Sequence, residues 1–399
     1  MAKKPAAKSA SGSAKKAVEA ASAPVVRSEL DDRIPLLPLP RPTSLDAVIG
    51  QKRALDTLRS AMSAGRVHHA WIFTGPPGVG KFTAASAFAA ELLADKGPSK
   101  ERTRELLADQ AHPDLHVIVK ELAAKHPDAD IRKLKQTNIA KGVADEFLLG
   151  PAARSRVVES DSIVHKVFII DEAELLGHDS QNALLKLIEE PPLGTVIILV
   201  TTDEHRLLAT IRSRCQRVPF FALDASALQA WLGSSGLELE GSERDWLLAY
   251  GNGAPGQILS AHKAGLFAWH TKLDKGLSAL CAGQADPAVA GLGAAMAALV
   301  DERAKAVQEE NEKASKEAAN RYWCKRMLAF VAERFRRQMI GAARAGGPSA
   351  DRASAMAAAL DAVNVAERQL DSNVNYAAVL DNLVAQVASG RAGLALLPN

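Results

Sequence analysis

Cysteine, aromatic side chains and long apolar runs are all scarce in this sequence, and each scarcity excludes a class of protein. Only Cys215, Cys281 and Cys324 occur, far apart and without paired spacing. They can form neither a disulfide framework nor a paired-cysteine zinc site, and they read as reduced thiols. Aromatic residues make up 5% of the chain, too few to predict the exposed ring platforms on which single-stranded nucleic acid stacks. No apolar run reaches the roughly 18 residues that would cross a bilayer. The N-terminal stretch lacks the apolar core of a secretory signal. The expectation is a cytoplasmic chain with no membrane contact. A surplus of one charge is missing too: 49 Lys plus Arg against 46 Asp plus Glu leave +3. A globally basic coat for nucleic acid is therefore excluded, and any such contact must be local.

What is present is ordinary globular material, with 47% hydrophobic and 24% charged residues in 399, enough for two or three domains. Residues 1–42 form a basic Ala/Lys/Pro-rich stretch that predicts a disordered tail and linker. Its lysines would either solubilise the chain or brush phosphates and acidic partners. Its last prolines forbid a helix until Thr43 or Ser44 can cap one. From residue 43 to 221, short β-branched runs alternate with helical stretches: Ala70–Thr74, Leu115–Val119, Lys166–Asp171 and Thr195–Thr202. These runs are apolar on both faces, which predicts a parallel sheet covered by helices on each side. Beyond Phe221 no strand pattern appears. The remainder reads as helices broken at residues 251–256, 283–287 and 341–350, so the fold class is α/β followed by all-helical parts.

The strand ending at Thr74 runs into Gly75, Pro76, Pro77, Gly78, Val79, Gly80 and Lys81, and a helical sequence follows. GxxxxGK between a strand and a helix is a phosphate-binding loop: its backbone N–H groups curl around phosphates, the helix N-terminus adds positive potential and the lysine reaches the β and γ phosphates. The hydroxyl residue that should follow and ligate Mg²⁺ is replaced by Phe82, whose benzyl group cannot coordinate a cation. Thr83 comes next, turned about 100° around the helix from that position. Metal-dependent hydrolysis is therefore expected to be weak or absent, with nucleotide binding left open. Downstream, Asp171 and Glu172 stand at a strand tip, where Asp171 would hold Mg²⁺ and Glu172 would orient the attacking water. Helix caps are the alternative for such residues. His68 and His69 tempt toward a metal, but adjacent residues point to opposite sides of a strand or turn, and a structural role is expected.

These residues resemble the clamp-loader branch of the AAA+ ATPases. The resemblance is carried by Ile49–Lys81, HPDLHVI (His112–Ile118), KVFIIDEAELL (Lys166–Leu176), NALLKLIEEPP (Asn182–Pro192) and LLATIRSRCQ (Leu207–Gln216), with a weaker match over Ala366–Leu383. It implies a P-loop AAA+ domain over 43–221, a helical lid over 222–266 and a helical collar for oligomerisation over 267–399. It also implies Thr202 as a polar sensor beside the phosphates, and Arg214 of the Ser213–Arg214–Cys215 motif as an arginine finger presented to a neighbour's ATP. Motor subunits of this branch carry a lid arginine where this sequence has Gly256, so the resemblance is to the delta-prime type. The four zinc-binding cysteines common in the branch are missing between Glu91 and Ala111, which excludes zinc.

The role so implied is that of a largely non-catalytic subunit in a DNA polymerase III clamp loader, helping to place a sliding clamp on primed DNA during replication. Its partners would be the other subunits of a hetero-pentamer, the clamp, and primer–template DNA through backbone contacts. ATP, with Mg²⁺ when bound, is the implied cofactor. The alternative is an active ATPase: the gamma/tau motor subunit or a related replication or repair enzyme. The mixed-sign stretch Asp301–Arg321 reads as a long solvated helix.

Overall fold

A computed structural model describes residues 43–94, 100–109, 111–133, 138–158, 162–284, 286–310, 316–345, 350–372 and 374–390. The tail expected over residues 1–42 lies outside the described residues. The chain divides into two compact units. One comprises residues up to Glu240 together with Gly251–Leu259, and the other comprises Gly241–Tyr250 and Ser260 onward.

The first unit is built on a five-stranded parallel sheet: β1 (Ala70–Thr74), β2 (Leu115–Ile118), β3 (Lys166–Ile170), β4 (Thr195–Thr201) and β5 (Gln216–Pro219), in the order β2-β3-β4-β1-β5. Its central strands are buried on both faces because successive side chains alternate between two cores. Trp71, Phe73, Val167, Ile169, Ile198 and Val200 face one core. The helices α1 (Lys52–Ser63) and α2 (Lys81–Leu93) cover it, through Leu55, Leu58 and Phe88. Ile72, Phe168, Ile170, Ile197 and Leu199 face the other core, with Leu184, Leu187 and Ile188 of α3 (His178–Glu189) and Ile211 of the short α4 (Ala209–Arg212).

Four strands fall where the sequence pattern places them, within a residue of their ends. The fifth, β5, carries no such pattern: Gln-Arg-Val-Pro has one buried residue, Val218, and a proline that only an edge strand tolerates. It pairs with β1 alone.

Among the described residues no strand follows Pro219. The second unit is helical, with α5 (Leu266–Cys281), α6 (Leu292–Glu310), α7 (Lys316–Ala345), α8 (Ala350–Asp371) and α9 (Tyr376–Ala388). Trp269, Trp323, Met327, Phe335, Ala359, Ala362 and Leu380 are buried there. The mixed-charge stretch over residues 301–321 spans the end of α6 and the start of α7, and Ala304, Val307, Ala319 and Asn320 are buried. It is therefore not solvated all round: each segment keeps a packed side.

Candidate nucleotide-type site and interface arginine

The loop from Gly75 to Lys81 leaves the C-terminal end of β1 and enters α2, whose N-cap is Gly80 at φ 98°, with no side-chain cap. Glycine is required at its start. Gly75 has φ 144°, and a Cβ there would lie 2.2 Å from the carbonyl oxygen of Phe220, so β5 and the loop approach backbone to backbone. Three groups hold the loop. Lys81, a buried residue, donates its ammonium to the Gly75 and Pro76 carbonyls at 2.6 Å each. The Gln51 amide donates to the carbonyls of Val79 at 3.1 Å and Phe221 at 2.6 Å, and its oxygen accepts from Phe221 N–H. The Gly256 N–H donates to the Gly78 carbonyl at 2.8 Å. Burial lowers the Lys81 pKa to about 8, against the opposing pull of Asp171 and Glu174.

Phe82 is partly buried and packs against the core that contains Phe88, while Thr83 is exposed. The position after the lysine therefore supplies apolar packing and no oxygen. The usual P-loop set for Mg²⁺ is not met, and Asp171 and Glu174 are the carboxylates that Lys81 senses.

At the tip of β3 the two predicted acidic residues separate. Asp171 is half-buried and accepts from Glu172 N–H. Glu172 adopts the left-handed conformation at φ 49°, and its carboxylate takes the Lys120 ammonium at 2.6 Å. Glu174, to which the sequence assigned no role, accepts from both the hydroxyl and the N–H of Thr202. Burial raises its pKa, but the hydrogen bonds from Thr202 and Thr201 outweigh this and hold it below the ordinary carboxylate value. Thr202 stands one residue past the end of β4. The structure thus brings Lys81, Asp171, Glu174 and Thr202 to the C-terminal ends of β1, β3 and β4. Sequence reading missed Gln51 and Glu174. A non-glycine residue in left-handed geometry, as Gln51 is at φ 57°, leaves no sequence signal. Glu174 could have been found from its two-residue spacing beyond Glu172.

His68 and His69 do not diverge as their adjacency predicts. Their rings stack at 4.5 Å in the turn before β1, where strand alternation does not apply. His69 Nε2 lies 2.9 Å from the Ile188 carbonyl, and His68 Nδ1 lies 2.8 Å from that of Ala70.

Arg214 follows α4. Its guanidinium is 42% exposed, donates to the Thr210 carbonyl at 3.1 Å and pairs with Glu189 at 3.0 Å. Burial pushes the thiol of Cys215 up to about 12, so it stays protonated.

With this geometry in place, the relatives can be set beside it. Residues 50–224 match the family described as DNA polymerase III, delta subunit. The gamma/tau subunit of DNA polymerase III from Mycobacterium bovis is 31% identical over 229 residues, covering 55% of this chain and 36% of that protein. The tau subunit from Bacillus subtilis is 32% identical over 191 residues, covering 47% and 31%. The matches support the clamp-loader AAA+ family. They do not single out one subunit, since the first description is of delta and the others are of gamma/tau. The chain spans about a third of the length of these two clamp-loader relatives. Among solved structures, a gamma subunit-related protein from Thermotoga maritima aligns over 83% of this chain and 98% of its own, at 15% identity and a TM-score of 0.41. The RuvB branch migration motor of the same organism aligns over 60% and 66%, at 20% identity and a TM-score of 0.38.

Proposed function

We propose that this clamp-loader-type chain acts as a delta-prime-like subunit of a DNA polymerase III clamp loader, with little or no hydrolysis of its own, and that Arg214 completes the ATP site of a neighbouring subunit. One contrast carries this reading. The chain's own loop lacks the hydroxyl after its lysine, with Phe82 packed against the core in that place, whereas Arg214 stands partly exposed with a cationic fork on a short turn. A fixed guanidinium beside a γ-phosphate offsets the negative charge of the transition state, an effect worth roughly 10³ to 10⁵ in rate in characterised cases.

Hydrolysis by the purified chain, alone and then assembled with a motor subunit, tests this. The expected result is negligible turnover alone, and turnover by the assembly that falls at least about tenfold at the adjoining site with Arg214→Ala. Unchanged turnover in that variant would sink the trans-finger role. The second reading, an active motor, is favoured by the gamma/tau identity of the relatives and by the grouping of Lys81 with Asp171 and Glu174. Appreciable turnover by the chain alone, abolished by Lys81→Ala, would establish it instead.

A further inference from the structure

Arg214 needs a reason to hold one direction. A side chain 42% exposed with four rotatable bonds loses rotamer freedom when fixed, and a loosely held guanidinium offers little preorganised charge to an incoming phosphate. Two acceptors lie against it. The Thr210 carbonyl, one turn back along the chain, takes Nη1 at 3.1 Å, and the Glu189 carboxylate takes Nη2 at 3.0 Å. Of the five guanidinium N–H groups, one is given to the Thr210 carbonyl as a hydrogen bond, and the Glu189 carboxylate holds the charge as an ion pair.

The carboxylate itself sits on a rigid mount. Glu189 is the last residue of α3, whose Leu184 and Ile188 are buried in the core. The Ile188 carbonyl lies against His69 Nε2. Near the other end of α3, buried Gln181 donates to the carbonyls of Leu176 and Arg206 and accepts from Leu208 N–H. That ties α3 to the turn that leads into α4, so Glu189 and Arg214 ride on elements fastened to each other.

We infer that Glu189 is a positioning residue, holding the Arg214 guanidinium in the orientation in which its remaining N–H groups meet the anion of the adjoining subunit. This rests on the trans-finger reading and extends it to a residue with no assigned part. Both partners are about two-fifths exposed, and an exposed pair of this kind adds little to stability, so variants at Glu189 should fold normally.

The test uses the assembled loader with Glu189→Ala, Glu189→Gln, Arg214→Ala and the Glu189→Ala/Arg214→Ala pair. Glu189→Ala should lower kcat about tenfold, with KM for ATP and assembly unchanged, as misplacement without loss of the charge predicts. Glu189→Gln, which keeps an oxygen acceptor, should recover much of it. In the Arg214→Ala background Glu189→Ala should add no further loss. An equal loss in both backgrounds, or full activity of Glu189→Ala where Arg214→Ala is slow, overturns the positioning role while leaving the finger standing. Unchanged turnover in Arg214→Ala removes both. On the chain alone, the Arg214 Nε–H resonance should move in Glu189→Ala; an unmoved resonance overturns the pairing whatever the kinetics show.

Discussion

Two residues at the candidate phosphate loop each make a prediction. A Cβ on Gly256 would lie 2.8 Å from Gly78 Cα and 3.1 Å from its carbonyl oxygen, both backbone atoms. Gly256→Ala must therefore push the backbone at residue 256 away from the loop and break the 2.8 Å hydrogen bond to Gly78, at a cost of about 1–3 kcal/mol. A urea midpoint equal to that of the native chain would show that the contact is not maintained in solution. Phe82 is the second. Replacing it with Thr removes packing against the core but restores the oxygen that the P-loop chemistry lacks. Phe82→Thr should lose about 1–2 kcal/mol and gain Mg²⁺-dependent affinity for ATP by equilibrium binding. Stability lost with no gain in affinity would mean that the closed loop, with Lys81 held by Gly75 and Pro76, disables the site by itself.

At the scale of elements, legibility followed burial. β1, β3 and β4 announced themselves because strands buried on both faces must be apolar throughout, and GxxxxGK was readable because phosphate chemistry fixes both glycines and the lysine. The two edge strands differ in composition: β2 (Leu-His-Val-Ile) still carries a β-branched apolar run, whereas β5 pairs on one side only and tolerates Gln, Arg and Pro, so it was silent. The split between Glu172 and Glu174 was hidden for another reason: a left-handed residue after β3 redirects the first carboxylate toward Lys120, and backbone handedness at a non-glycine residue is not written in composition. The entry to β2 shows a consequence of such hidden burial. His112 and His116 flank buried Asp114, which accepts from Val157 and Val158 N–H. His112 Nδ1 accepts from Asp114 N–H and the His116 ring stacks on Phe168 at 4.7 Å. Burial lowers the pKa of His112, and it lowers that of His116 from 6.5 to about 4 despite the opposing field of Asp114. The native state thus keeps His116 neutral where the unfolded chain protonates it. The stability it contributes is complete above pH 6.5 and is lost as pH falls from there toward 4, at up to about 1.4 kcal/mol per pH unit per proton. Urea midpoints across that range should fall less steeply in His116→Phe; parallel curves would show that the ring titrates normally.

At the scale of the whole molecule, the question is where the folded chain begins. Sequence composition places the boundary near Thr43, and among the described residues anchoring contacts are made from Ser44 onward. The Ser44 hydroxyl and Leu45 N–H both donate to the Glu91 carboxylate, at 2.9 and 2.6 Å, and Leu45 is 0% exposed in the core beneath α2. Ser44 also caps the short turn that follows by accepting from Asp46 N–H. A side chain buried to that degree behaves as part of the domain, and Leu45→Ala should cost about 2–5 kcal/mol, the lost transfer energy plus the cavity left behind. Removing residues 1–42 takes away the segment that composition reads as a tail and linker, so its deletion should leave the thermal midpoint within about a degree of the native value, since a change of 1 kcal/mol moves a domain of this size by roughly 2–4 °C. The two variants make a single test of the boundary. A truncated chain that loses as much stability as Leu45→Ala would mean that the Ala/Lys/Pro-rich segment contributes to the fold and not only to solubility. A native midpoint in the truncation beside a depressed one in Leu45→Ala places the start of the cooperative unit near Ser44, whose hydroxyl joins Leu45 N–H on the Glu91 carboxylate.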